Sequence, residues 1–101
     1  MLRRLLTVED TFAVTGRGVI VAPMPGLQEI RGPGDVEVEL RLPDGTQRTA
    51  SMSIAVEHFH PAPAVRRWTC TFKALAKEDI PIGTEIWCRD SLFMPRLPSA
   101  R

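Results

Sequence analysis

The chain has 101 residues, enough for one domain around one hydrophobic core. It is 44% hydrophobic and 25% charged, and 13 basic against 12 acidic residues leave a net charge of +1. That balance excludes a charged disordered chain and the strong basic excess of many nucleic-acid binders, so RNA binding would need a local basic patch.

Nine prolines and seven glycines divide the sequence into short runs rich in Val, Ile, Thr, Phe and Trp, the pattern of short strands separated by turns. The first run, Leu5 to Val14, ends at Gly16-Arg17-Gly18. Val19 to Ala22 is continuously apolar and reads as a buried strand, ended by Pro23, Pro25 and Gly26. Gly32-Pro33-Gly34-Asp35 is a turn. From Asp35 to Leu42, Val36, Val38, Leu40 and Leu42 alternate with Glu37, Glu39 and Arg41, which places aliphatics on one face and charges on the other. Pro43-Asp44-Gly45-Thr46 is a turn, because proline presets one dihedral and glycine accepts a positive φ. The return strand runs from Gln47 to Phe59, so Asp35 to Phe59 is predicted as a long antiparallel hairpin. Pro61-Ala62-Pro63-Ala64 is a loop, Arg67 to Leu75 a further strand, and Thr84 to Cys88 the last. No amphipathic helix and no repeat is visible. The fold class expected is all-β, a barrel or sandwich of about six strands. Residues 1–88 form that single domain. Residues 89–101, with Pro95 and Pro98 and no periodicity, are expected to be a flexible tail.

No run approaches the roughly 18 apolar residues of a membrane span. The N-terminal leucines are too few for a signal peptide and are followed by Glu9 and Asp10, so a cytoplasmic location is expected. Cys70 and Cys88 lie in apolar strand-like runs and read as small reduced hydrophobes; a bridge between them would require their strands to pair.

The order of motifs resembles the second domain of elongation factor Tu and related translational GTPases. The resemblance begins with Thr7-Val8-Glu9-Asp10-Thr11-Phe12 and Gly16-Arg17-Gly18-Val19-Ile20-Val21. It continues through Ile30 and Gly34-Asp35-Val36-Glu37-Val38, then Val56-Glu57 with Phe59, Phe72-Lys73-Ala74-Leu75, Glu78-Asp79-Ile80 and Gly83-Thr84. It covers Leu5 to Cys88 and implies a six-stranded antiparallel β-barrel of the translation-factor domain 2 type. No Gly-x-x-x-x-Gly-Lys-Ser/Thr phosphate loop occurs, so the chain reads as this barrel standing alone, without GTP. In the family, this domain helps hold the aminoacylated 3′ end of tRNA. Glu57 matches the glutamate of the terminal-adenosine pocket. The Gly-Asp/Glu-Asn turn that completes the pocket is replaced by Val65-Arg66-Arg67, and the small glycine after it by Thr69 beside Trp68.

The candidate binding residues are therefore Glu57, His58, His60, Arg66, Arg67 and Arg17. His58 and His60 are two apart and share a strand face, but a metal site needs three or four ligands and neither cysteine is nearby in sequence. Arg66-Arg67-Trp68 could grip phosphate and stack on a base, and with Arg17 and Arg48 could form a basic patch. No serine sits in a nucleophile elbow, and no nucleophile has an evident activating base. The expected function is that of a non-catalytic binding module without a cofactor, with a protein partner placed first and RNA or the ribosome second. A metal-dependent enzyme using the two histidines stands third. Proline-rich loops at Pro23-Pro25 and Pro61-Pro63 would rim the binding surface.

Overall fold

A computed structural model describes residues 1–56 and 67–94. The alternating runs form seven strands: β1 (Leu2–Thr7), β2 (Asp10–Val14), β3 (Gly18–Ala22), β4 (Gly34–Arg41), β5 (Gln47–Val56), β6 (Trp68–Phe72) and β7 (Glu85–Arg89). They build one antiparallel sheet in the order β1-β7-β4-β5-β6-β3-β2. Two single-turn 3-10 segments, Lys77–Asp79 and Asp90–Leu92, are the only helical pieces among the described residues. No described helix is long and apolar enough to cross a membrane.

The all-β expectation holds. The strand count differs because the run from Leu5 to Val14 is two strands. β1 pairs with β7, and β2 pairs with β3. The change of neighbour happens at Val8-Glu9. Val8 exchanges hydrogen bonds with Gly83 and Thr84 on the β7 side, and the next amide, Glu9 N–H, donates to the Ala22 carbonyl at the end of β3. β1 and β2 are therefore the two edges of the sheet and are consecutive in the chain, but they do not pair with each other.

A β-bulge at Leu5 sets the first strand. Arg4 lies opposite Trp87 and Leu6 opposite Ile86. Two residues apart on a regular strand, Arg4 and Leu6 would share a face. The extra residue lets the arginine stay outside while Leu6 enters the core.

Inward residues of six strands converge in one cluster: Leu6 of β1, Val19 and Val21 of β3, Val38 and Leu40 of β4, Met52 and Ile54 of β5, Trp68, Cys70 and Phe72 of β6, and Ile86 and Cys88 of β7. Val8, Ile30 and Ile80 fill its ends. Residues from near both edges of the sheet meet there, so the sheet curls around one core. The two cysteines are free and buried. Their strands do not pair, since β4 and β5 lie between β7 and β6.

Local turn chemistry matches the sequence. At Pro43–Thr46 the Leu42 N–H donates to the Thr46 carbonyl and Gly45 N–H to the Leu42 carbonyl, while Gly45 sits at φ +93. The Asp44 pKa is held below the usual value first by the Thr46 side chain and then by the Thr46 N–H, which donates to its carboxylate. Gly18 has φ +110, and a side chain there would collide with the Phe72 carbonyl of β6.

Residues 89–94 depart from the expected flexible tail. Arg89 completes β7, Asp90 N–H donates to the Met1 carbonyl, Phe93 bridges Ile30, and Met94 N–H donates to the Glu29 carbonyl. These partners lie far away in sequence, so the segment carries no local periodicity. Residues 95–101 lie outside the described part of the chain.

Candidate functional site

Of the six residues singled out in the sequence, Arg67 and Arg17 fall in the described chain; Glu57, His58, His60 and Arg66 lie outside it, as does the Pro61–Pro63 loop. Arg67 immediately precedes β6, and its backbone bridges Gly26. Its guanidinium donates from Nη1 to the Met24 carbonyl at 2.9 Å. The next amide, Trp68 N–H, donates to the Pro25 carbonyl at 2.8 Å. Two proline rings leave few backbone donors in Pro23-Met24-Pro25, so the loop depends on its carbonyls for anchorage. Arg67 and Trp68 supply it.

Behind this loop lies a depression of about 140 Å³, lined by Leu5, Leu6, Pro23, Met24, Glu29 and Arg67 among others. The Glu29 carboxylate accepts from Gly26 N–H at 2.9 Å, closing the loop on its other side. The wall is thus mostly apolar, with one cation and one anion, and each of these charges is bonded to the loop backbone.

Trp68 does not stand beside Arg67 as a stacking platform. Its ring is buried in the core, its Nε1–H donates to the Ile30 carbonyl at 3.2 Å, and Gly32 packs close to its six-membered ring. The alternation that puts Arg67 outside puts Trp68 inside. Arg17 is also remote from Arg67. Val19 lies opposite Phe72 and Val21 opposite Cys70, so Arg17 sits at the Phe72 end of β6 and Arg67 precedes its other end. The length of β6, roughly 16 Å of strand, separates them. Arg48 pairs with Leu40 at the start of β5 and lies 3.6 Å from Asp79. Arg17, Arg48 and Arg67 therefore do not form one basic patch.

A larger cleft of about 310 Å³ opens elsewhere. The β4–β7 ladder covers only Glu39–Trp87, Leu40–Ile86 and Arg41–Glu85. Beyond Trp87, β7 stays with β1, where Arg3 lies opposite Cys88 and Leu2 opposite Arg89. Among the described residues, the first half of β4 is left without a neighbour on that side. Val36, Cys88 and Leu92 line the gap, with Arg31, Glu37 and Arg89 also bordering it. Arg31 donates from Nε to the Ser91 carbonyl at 3.2 Å. Sequence reading missed this cleft, because it arises where two strands distant in sequence diverge; Glu37 looked like any outward charge.

Neither thiol is an activated nucleophile. Burial pushes Cys70 up to about 12, and Cys88 nearby adds to the rise. Burial pushes Cys88 up to about 11, against the opposing pull of Arg3. Both are neutral thiols at physiological pH. Among the described residues no group of three or more His, Cys, Asp and Glu side chains converges to hold a metal ion.

No family model, curated protein or solved structure matches the chain.

Proposed function

We propose that the chain is a non-catalytic protein-binding module built on a barrel of the translation-factor domain 2 kind. The barrel identity rests on the order of motifs from Glu9-Asp10 to Gly83-Thr84, and a curled all-β sheet around one core is compatible with it. The binding surface is the proline loop Pro23-Met24-Pro25 with Leu5, Glu29 and Arg67.

One observation carries the choice of a protein over RNA. The Arg67 guanidinium is already bonded to the Met24 carbonyl, and the Glu29 carboxylate stands in the same depression. A phosphate would meet a committed cation and a repelling anion. A protein surface with apolar side chains and its own polar rim suits a rigid, largely apolar wall. Holding the loop before binding lowers the ordering cost of the encounter.

Affinity capture from native cells tests the reading. The tagged chain should recover a stoichiometric protein partner, and Met24→Asp should abolish recovery while the variant stays folded. Recovery of RNA whose retention falls with salt, and falls further when Arg66 and Arg67 become alanine, would replace the protein reading with the RNA one.

A further inference from the structure

The open half of β4 offers three unmet demands in one place. Among the described residues, β4 pairs from Gly34 to Val38 with β5 on one side only, and no backbone hydrogen bond satisfies its other edge. Alternate residues there present N–H and C=O groups to the cleft. The cleft has an apolar floor, since Val36 and Leu92 are half-buried and Cys88 is buried beneath them. Finally, Glu37 and Arg89 form no ion pair among the described residues, although each is a strand residue on the outward face and both border the gap. Continued pairing from Glu39–Trp87 would have set Glu37 directly opposite Arg89. The gap keeps the two charges apart.

We infer that this cleft takes a short extended peptide segment of a protein partner, laid antiparallel along the Gly34–Val38 edge of β4. The segment carries an apolar side chain inward onto Val36, Cys88 and Leu92. Outward, it carries one basic and one acidic side chain, facing Glu37 and Arg89. Strand addition of this kind takes affinity from main-chain hydrogen bonds and specificity from alternate side chains. The antiparallel sense follows because β4 offers five open residues and β7 only its last two. A cleft of about 310 Å³ suits a short segment. The inference rests on the reading of the chain as a protein-binding module but uses a site separate from the Arg67 loop.

The test titrates the full isotope-labelled chain with two synthetic peptides, followed by amide chemical shifts. Each is a capped heptapeptide in which valine alternates with threonine, glutamate and lysine; they differ only in exchanging glutamate for lysine. One of the two should bind saturably with Kd below about 1 mM, with shifts confined to Gly34–Val38 and Cys88–Leu92. Arg89→Glu should weaken that peptide at least fivefold. Combining Glu37→Lys with Arg89→Glu should reverse the preference between the two peptides. Both residues are exposed or at the strand surface, and the spectrum of each variant reports its folding. No saturable shift from either peptide, shifts centred on Arg67, or a preference unmoved by the charge swap would each overturn the inference. Its failure leaves the broader reading intact if a native partner is still captured and released by Met24→Asp. Loss of that partner with peptide binding preserved would overturn the broader reading alone.

Discussion

β4 contains its own control. Both halves share one alternation and one partner, β5, with which they pair from Gly34–Ile54 to Arg41–Gln47. The second half also pairs with β7, from Glu39 to Arg41; the first half does not. Burial falls off with distance from the second neighbour, since Val38, next to the paired half, is still buried. Leu40 is fully buried and Val36, of the same alternating set, is only half-buried. The cause lies outside β4. After Trp87, β7 keeps its pairing with β1, and the chain then turns to bond Met1 and Ile30. An alternating sequence selects which face is apolar; distant neighbours decide how much of that face leaves water.

The largest expected effect breaks this comparison open. Leu40→Ala should cost about 3–4 kcal/mol of unfolding free energy, the range for a large side chain lost from a tight core. Val36→Ala should cost about 1 kcal/mol, because the cleft already supplies part of the void. Urea denaturation of both variants measures the difference. Equal losses would mean the two halves are packed alike. Hydrogen exchange sharpens the same point: cleft-facing amides between Gly34 and Val38 should exchange far faster than those of Glu39–Arg41 that bond β7.

The two thiols extend the contrast, one deep between β5 and β3 and one beside the open half. Cys70 is pushed to about 12 and Cys88 to about 11. A raised thiol pKa means the folded state resists ionisation. The neutral thiols have no pH-dependent effect below the unfolded value, near 9. Above it, the unfolded chain loses protons first, so stability falls as pH rises. For Cys70 the slope is at most about 1.4 kcal/mol per pH unit, continuing towards 12. For Cys88 the limit is the same and the range ends near 11, since Arg3 offsets part of the burial. Denaturation midpoints should therefore fall between pH 8.5 and 10.5, and less steeply in either Cys70→Ala or Cys88→Ala than in the unsubstituted chain. An undiminished fall in both variants would mean that the thiols do not cause it.

How much of this was legible in the sequence depends on the range of the interactions. The Asp35–Phe59 hairpin was readable because its register follows from a local turn, and β4 and β5 pair as expected as far as Ile54. The Gly16-Arg17-Gly18 turn was readable because its glycines must take positive φ. The split of Leu5–Val14 into β1 and β2 was not, because the bulge at Leu5 and the change of partner at Val8-Glu9 depend on strands far along the chain. The packed segment 89–94 failed for the same reason. At the site, Arg67 drew notice beside Trp68 as a phosphate grip, but alternation turns Trp68 inward and the guanidinium to Met24. Charge type alone does not reveal that a cation is already committed.

Arg67 and Arg89 make the next comparison, a committed cation against an uncommitted one. Arg67→Ala removes the bond to the Met24 carbonyl and should cost about 1 kcal/mol, typical of one hydrogen bond, while broadening the amide signals of Met24 and Gly26. Arg67→Lys should recover little, since an ammonium on a flexible stem does not reproduce the guanidinium geometry. Unchanged stability and unchanged loop signals would mean the proline loop holds itself.

The smallest effect is expected at the open half. Glu37→Ala and Arg89→Ala remove charges that have no ion-pair partner among the described residues, so each should move the unfolding free energy by less than about 0.5 kcal/mol. Joining them directly should do no more: a surface pair across the cleft would be screened by water and salt. A near-zero result here is informative when set beside the peptide titration. A residue that fold stability ignores but peptide affinity registers owes its charge to something outside the chain. A loss of 1 kcal/mol or more in either alanine variant would instead mean that Glu37 and Arg89 serve the fold, and that the cleft is a seam in the sheet.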